Sequence, residues 1–361
     1  GQFAIGRYND GWIYNYSSTL SSGAGFAVKK SVAGDLVFSG TAQTNNVARP
    51  TIDTTSDYNL FGNPYTAPIA ANINAGANNI LTTNTAVGQD ELAEATIWFW
   101  NQATNSYDLI NQASSAKFIA PGQGFFVKSK GGFGDSNFDF TTAMRSHQTT
   151  DSFQKGGNPS TKSQIILSLS DNNTSRKTEI YYMDGVSKSF DNGYDSSIFG
   201  GVSYDFNIYT NTLENDQGKK LGIQSLPNQD MENTVVPIGL KALAGKKIEF
   251  SAKMNNLPNN LKIYLEDRTN KVFTNLSEEN YTVTLDNNSD GTGQFYLHTS
   301  SKKPTEIIEH SIDNINIYSS SNNEVTIVGL QAKANVAVYS ILTSTLLAFL
   351  SLFTSTHLTS S

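Results

Sequence analysis

Cysteine is absent from the 361 residues of the chain. Without it the chain can form no disulfide, offer no thiolate ligand for zinc and provide no cysteine nucleophile. Charged residues make up only 16% of the sequence, the net charge is −7, and no run of Lys and Arg occurs. Because binding to a phosphate backbone depends on clustered positive charge, we expect no nucleic-acid partner.

Helical periodicity is also scarce, and the polar positions are mostly Asn, Ser, Thr and Gly, beside 16 Tyr and 20 Phe. Apolar residues alternate with polar ones, as in SQIILSLSD, which places Ile165, Leu167 and Leu169 on one face. These patterns predict an all-β fold of tandem antiparallel β-sandwich domains, jelly-roll or Ig-like. The stretch YTVTLDN with GQFYLHTS, and the stretch INIYSSSNNEVTIVGL, each predict a hairpin. The stretch GQDELAEATIW predicts one short helical turn.

Two polar stretches rich in turn-forming residues, 148–162 and 300–310, are predicted to be linkers. They separate a first sandwich module at 1–147, a second at 163–299 and a third region at 311–361.

A short motif occurs twice within the first module. Gly23-Ala24-Gly25-Phe26-Ala27-Val28-Lys29 matches Gly122-Gln123-Gly124-Phe125-Phe126-Val127-Lys128. A phosphate-binding loop would need a helix after the glycines, and neither copy is followed by one. We therefore predict that the glycines allow positive φ and the close passage of a neighbouring strand.

Four motifs follow one another within residues 58–147: NLFGNPYTAPI at 59–69, WFW at 98–100, APGQGFFV at 120–127 and TAMR at 142–145. In this order they resemble a module found near the C-termini of large secreted Bacteroidetes proteins. VVPIGLKALAGKKIEFSA, IYLEDRTNKVFTNLSEENYTVTL and GQFYLHTS resemble, in order, the strands that follow in those proteins.

Residues 313–342, DNINIYSSSNNEVTIVGLQAKANVAVYSIL, resemble the first half of the type A sorting domain of type IX secretion. The resemblance implies recognition by the secretion machinery, namely its outer-membrane shuttle barrel and translocon. It also implies an extracellular or cell-surface location, associated with the outer membrane. The expected sorting residues are Ile315, Ile317, Tyr318, Val325, Ile327, Gly329, Leu330, Val336, Val338 and Tyr339.

From Thr343 the chain departs from that family and contains no Lys or Arg. Residues 336–353 are mostly apolar, so this tail is either a membrane span or a sandwich strand, and the Ser and Thr residues within it favour the strand.

The overall pattern predicts a non-enzymatic scaffold with stalk or adhesive modules followed by an export signal. Two alternatives stay open. One is a carbohydrate-binding accessory region of a glycan-degrading enzyme, in which Trp98, Trp100 and Tyr107 would stack on sugar rings of surface glycans. Against it, we favour the interpretation that Trp98 and Trp100 belong to the sandwich core. The other is a filament subunit that self-associates through sheet edges.

Several short patterns have both a chemical and a structural interpretation. Gly134-Asp135-Ser136 is either a serine-esterase motif or, as we predict, a turn, since no Asp-X-X-His follows it. Asp286, Asn288 and Asp290 are either calcium ligands or part of a polar bend, and position twelve of the loop is Leu297 where an EF-hand needs Glu.

Apart from this possible calcium, no cofactor is expected. The four histidines are scattered, and we expect the pairs Glu266-Asp267 and Glu278-Glu279 at a solvated edge.

Overall fold

The structure is a computed structural model, and it describes side chains over most of residues 3–304. The described ranges are 3–14, 17–35, 37, 39–51, 56–86, 91–130, 137–147, 161–232 and 234–304. Beyond them it describes the strand backbones at 316–320, 324–328, 334–339, 346–352 and 356–359. The chain divides into two compact units, and each is composed of two stretches of sequence. The first unit is Gly1–Thr161 with Asn192–Val202, and the second is Lys162–Asp191 with Ser203–Ser361.

The first unit consists of short strands and one helical turn. Its strands are β1 Phe3–Tyr8, β2 Trp12–Tyr14, β3 Ala27–Lys30, β4 Val47–Pro50, β5 Tyr58–Gly62, β6 Ile69–Ala70, β7 Leu92–Asn101, β8 Ser106–Ile110, β9 Phe118–Ile119, β10 Gly124–Ser129 and β11 Asn137–Phe140. The helical turn α1 is Ile80–Thr83, and a 3-10 turn is Thr142–Met144. The short helix expected at GQDELAEATIW is wrong, because Leu92–Asn101 is a strand whose side chains are mostly buried.

A four-stranded antiparallel sheet in the order β5-β10-β7-β8 forms the centre of the first unit. Smaller sheets in the orders β2-β1-β3, β11-β4 and β6-β9 accompany it. The core lies on one face of the four-stranded sheet, where alternate residues such as Ile97, Phe99 and Phe125 point inward. Phe61 and Phe138 stack face to face in this core with their ring centroids 4.5 Å apart.

Both copies of the glycine motif contact the same strand, β5. Gly124 and Phe125 pair with Gly62 and Phe61 on one side of β5. On the other side the Gly25 N–H donates to the Leu60 carbonyl at 3.1 Å. A Cβ on Gly25 would come within 2.6 Å of the Phe61 carbonyl oxygen, so only glycine fits there.

The predicted backbone role of the glycines is therefore confirmed, and Gly23 and Gly122 have φ of +81° and +69°. The two phenylalanines that follow differ, because Phe125 is fully buried whereas Phe26 is only half-buried.

The second unit is made almost entirely of longer strands. They are β12 Ser163–Ser170, β13 Ser175–Met183, β15 Asn207–Thr210, β16 Leu221–Pro227, β17 Val235–Ala242, β18 Lys247–Asn255, β19 Lys262–Asp267, β20 Val272–Asn275, β21 Tyr281–Thr284 and β22 Ser289–Ser300. A 3-10 turn is Asn228–Asp230, and the two-residue strand β14, Ser196–Ser197, lies in the stretch that belongs to the first unit.

These strands form one large sheet in the order β20-β19-β22-β17-β15-β16-β13-β12-β18-β21. Its pairs are antiparallel except β13 with β16. The sheet curves around a single core, since Phe250 on β18 and Phe295 on β22 are far apart in strand order yet their ring centroids lie 4.7 Å apart. Ile165, Leu167 and Leu169 all face this core, as their alternation predicts. The all-β, sandwich-like fold predicted from the sequence is thus observed.

One predicted hairpin is wrong and the other is confirmed. β21 pairs with β18, whereas β22 pairs with β17 and β19, so YTVTLDN and GQFYLHTS are not partners. β23 (Asn316–Ser320) and β24 (Glu324–Val328) do form the antiparallel hairpin expected from INIYSSSNNEVTIVGL.

The tail contains further strands, β25 (Ala334–Tyr339), β26 (Leu346–Leu352) and β27 (Thr356–Thr359). β25 pairs with β26, and β27 with β24. Among the residues that the structure describes, no helix is both long and apolar enough to cross a membrane. Most of 148–162 lies outside the described residues, as do 305–310, so the predicted linkers stay predictions.

Candidate functional site

The four-stranded sheet of the first unit is apolar on its second face as well. Tyr58, Trp98 and Phe126 point away from the core on this face and pack with Phe199. We call this set, with the partly buried residues around it, the aromatic cluster. Its partly buried members are Tyr8, Trp12, Leu60, Tyr107 and Leu109.

Phe199 lies at the centre of the aromatic cluster. Its ring centroid is 4.1 Å from that of Tyr107, 4.5 Å from that of Tyr58 and 4.8 Å from that of Phe126. Such tilted pairs add attraction beyond the burial of apolar area. Phe199 belongs to the stretch Asn192–Val202, which crosses this face of the sheet.

Polar groups fix the same stretch in place around Phe199. The Trp98 indole Nε1–H donates to the Ser197 carbonyl at 3.0 Å. The Glu94 carboxylate accepts from the Ser197 backbone N–H at 3.1 Å and from its hydroxyl at 3.0 Å. The Gly200 N–H donates to the Tyr58 hydroxyl at 3.0 Å. A segment of the same chain thus covers the aromatic cluster and is held there by ring contacts and hydrogen bonds.

Trp98 and Trp100 lie on one face of β7, as expected, but at different depths. Trp98 is fully buried, whereas Trp100 at the margin is 44% exposed. The core interpretation is therefore confirmed for Trp98, and glycan stacking by Trp98 is wrong, because Phe199 and Tyr58 cover its ring. Trp100 packs edge-on against Tyr107 at 5.2 Å, and its Nε1–H donates to Gln102 Oε1 at 3.2 Å. Trp100 thus presents part of its ring to solvent at the margin of the cluster.

A second cluster, made of ionisable residues, lies in the second unit. Glu266 on β19 is fully buried, and its Oε2 lies 2.8 Å from His298 Nε2 on β22. Arg268 Nε donates to Glu266 Oε1 at 2.8 Å, and the guanidinium lies 3.4 Å from the ring centroid of Tyr296. We call Glu266, Arg268 and His298 the ionic cluster.

Burial raises the pKa of Glu266, but the hydrogen bonds from His298 and Arg268 and the Arg268 charge outweigh it. The pKa of this carboxyl therefore lies below its ordinary value. Among the residues that the structure describes, Arg268 Nη1 has no hydrogen-bond partner. The solvated edge expected for Glu266 and Asp267 is wrong, whereas Glu278 and Glu279 are exposed as expected.

Asp267 lies on the opposite face of β19 and joins the two ends of the large sheet. It accepts hydrogen bonds from the Tyr281 hydroxyl at 2.8 Å and from Asn270 Nδ2 at 2.9 Å. Burial and the Asp267 carboxylate both raise the pKa of Tyr281. Since β21 and β19 lie near opposite ends of the strand order, this contact helps to close the sheet.

The residues proposed as calcium ligands are used in other contacts. Asn288 Oδ1 accepts from the Ala244 N–H at 2.8 Å. The Asp290 carboxylate pairs with Lys220 at 2.8 Å and Lys241 at 3.7 Å, and two ammonium groups oppose a cation there. Within the described part of the chain, no group of three or more His, Asp or Glu residues is arranged to hold a metal ion.

The predicted sorting residues are spread over three strands. Ile317 and Tyr318 lie in β23, Val325 and Ile327 in β24, and Val336, Val338 and Tyr339 in β25. Ile317 pairs with Ile327 across the hairpin. Ile315, Gly329 and Leu330 lie outside the described residues, as does Gly134-Asp135-Ser136.

The fold is all-β, and each of the two units has its own cluster of buried side chains on the sheet face opposite its core. The chain belongs to a family described as a domain of unknown function, DUF8693, which it matches over residues 10–298. The match runs through both units and includes the stretch Asn192–Val202. No curated protein and no solved structure matches the chain.

Proposed function

We propose that the chain is a non-enzymatic part of a secreted or cell-surface protein exported by type IX secretion. Its two units would serve as stalk or adhesive modules, and residues 311–342 would serve as the sorting region. The observation that carries the proposal is the resemblance of 313–342 to a sorting domain, whose first two expected strands form the hairpin β23–β24.

The chemistry of the two units supports a scaffold. The buried ionisable side chains of Glu266, Arg268 and Asp267 bind other groups of the protein. Glu94 likewise holds the Ser197 backbone. These side chains thus have structural partners inside the protein. The role proposed for the two units is therefore binding and presentation at their surfaces.

An export assay tests the proposal. The full chain is placed behind a cleaved signal peptide and a reporter, in a bacterium with type IX secretion and in a matched strain without it. We expect the reporter at the surface or in the medium only when the machinery is present. Equal export from both strains, or retention in both, would contradict the proposal.

A matched pair of variants locates the signal within the hairpin. Ile327→Asp changes the position paired with Ile317, and Thr326→Asp changes its neighbour, which pairs with Tyr318. We expect Ile327→Asp to lower export more strongly, because Ile327 is one of the expected sorting residues.

The glycan-binding alternative keeps one specific observation in its favour, the exposed ring of Trp100 beside Tyr107. Retention on immobilised glycans would compare the wild type, Trp100→Ala and a control, Tyr14→Ala, which removes another aromatic ring that is 67% exposed. Loss of retention in Trp100→Ala alone would support glycan binding, and unchanged retention in all three would remove it.

A further inference from the structure

The first unit is completed by a stretch that lies far away along the chain. Thirty residues separate the end of its first stretch, Thr161, from the start of its second, Asn192. The second stretch is firmly built in, since Asp195 and Ser196 are 1% and 0% exposed.

The beginning of this stretch binds β7 and the loop after β8. The Asn192 side-chain Oδ1 accepts from the Ala95 N–H at 2.7 Å. The Gly193 carbonyl accepts from the Gln112 N–H at 2.8 Å. Gly193 has a φ of +90°, and a Cβ there would lie 3.4 Å from that of Ala95, so the tight entry favours glycine.

The middle of the stretch binds buried polar groups of the sheet. The Asn111 side-chain amide donates to the Tyr194 carbonyl at 2.8 Å and to the Ser196 hydroxyl at 2.9 Å. The Ser196 hydroxyl also lies 2.7 Å from that of Thr96. Without the stretch, Asn111 and Thr96 would lose these partners, which is costly for groups inside a protein.

We infer that the outer face of the β5-β10-β7-β8 sheet is a peptide-binding site, and that its occupant is residues 192–202 of this chain. The site recognises an extended, Ser- and Gly-rich segment with one phenylalanine anchor. It holds this segment strongly enough that the first unit stays attached to the remaining chain after the backbone between them is cut.

The pattern of contacts is that of a specific interface. One aromatic anchor, Phe199, fills a desolvated centre, and polar pairs with defined geometry surround it, which is where binding energy concentrates in protein interfaces. Glu94 adds hydrogen bonds to a charged acceptor, and these are stronger than neutral ones.

Cleavage of the full chain tests the inference. A protease recognition sequence is inserted after Lys155, the protein is purified intact and then cut, and the products are examined by size-exclusion chromatography with light scattering. We expect the two pieces to migrate together at about 1 μM, as for an interface of micromolar affinity or better. A larger assembly with equal numbers of both pieces, in which copies exchange the segment, would also support the site. Separation of the pieces would overturn it.

Variants then distinguish this site from any other contact between the pieces. Phe199→Ala should speed dissociation of the cut pieces about a hundredfold, as for a buried aromatic anchor. The control Phe190→Ala removes the same side chain in the second unit, where the ring lies under Lys219, and should leave dissociation unchanged. Equal dissociation in both variants would overturn the inference.

A milder variant serves if Phe199→Ala does not fold, which circular dichroism of the uncut protein would reveal. Ser197→Ala keeps the backbone N–H bond to Glu94 and removes only the hydroxyl bond. It should speed dissociation about tenfold, in the range for a hydrogen bond to a charged group. No change in this variant would contradict the assigned role of Glu94.

Discussion

The aromatic cluster of the first unit and the ionic cluster of the second both cover a sheet face that turns away from a core. In the first unit the cover is a separate stretch of chain, which brings Phe199 onto Trp98 and Tyr58. In the second unit neighbouring strands cover themselves, with Arg268 over Tyr296 and His298 beside Glu266.

The two clusters are stabilised by different interactions. The aromatic cluster draws on apolar burial, which does not change with pH. The ionic cluster requires a charged carboxylate and two basic partners, and its desolvation cost offsets much of the attraction. Substitutions in each cluster should therefore differ in size and in pH dependence.

The largest effect should come from emptying the aromatic cluster. Trp98→Ala should destabilise the protein by about 3–5 kcal/mol, because it removes a fully buried indole and leaves a cavity beneath Phe199. Urea denaturation followed by fluorescence of the remaining tryptophans would measure this. The loss should be the same at pH 7 and pH 5, and a strongly pH-dependent loss would contradict the comparison.

Removing the charge of Glu266 should give the next largest effect. Glu266→Gln should cost about 2–3 kcal/mol at pH 7, because Arg268 and His298 lose a charged acceptor. The folded pKa of Glu266 lies below its ordinary value of 4.5, so its charge stabilises the fold above that pH. This contribution is lost as the pH falls through the folded pKa.

The difference between wild type and Glu266→Gln should therefore shrink below about pH 4.5, which denaturation over a pH series would show. A difference that stays constant down to pH 3 would argue that the carboxylate charge is unimportant.

Converting the ionic cluster into an apolar one should remove the difference in pH dependence between the two clusters. The triple variant Glu266→Leu, Arg268→Met, His298→Phe should be as stable as the wild type or more stable by about 1–4 kcal/mol, as found when buried ion pairs are replaced together. Thermal unfolding at two pH values would test it. A large loss of stability would mean that the charges contribute more than apolar packing can replace.

The smallest effect is expected at the margin of the aromatic cluster. Trp100→Ala should cost about 1 kcal/mol or less, since the ring is 44% exposed and loses mainly its contact with Tyr107. The same urea titration measures it, and a loss as large as that of Trp98→Ala would show that the margin is part of the packed interior.

Local patterns in the sequence were sufficient for the core face of β12 and for the glycines, but not for the start of β7, where a helical turn was expected. The alternation of Ile165, Leu167 and Leu169 identified a core face, and the spacing of Gly23 and Gly25 identified a turn and a close approach. Both features depend on neighbours in sequence, so a local pattern contains the information.

The burial of individual side chains and their contact partners could not be predicted from local patterns. Trp98 and Trp100 share a face, but burial of Trp98 depends on Phe199, about a hundred residues later. Glu266 was expected in solvent because its partner His298 lies on another strand, where the local sequence around Glu266 gives no sign of it. The stretch Asn192–Val202 has no periodicity, and its one signal is an aromatic residue within a Gly- and Ser-rich loop.

Both edges of β5 are hydrogen-bonded to other parts of the chain, and this affects how copies of the protein could associate. An edge strand with free N–H and C=O groups is a template on which another chain can add a strand. Here β10 occupies one side of β5, and residues 23–25 occupy part of the other at Leu60 and Gly62. Growth of a filament by strand addition next to Leu60–Gly62 would first have to displace the earlier glycine motif.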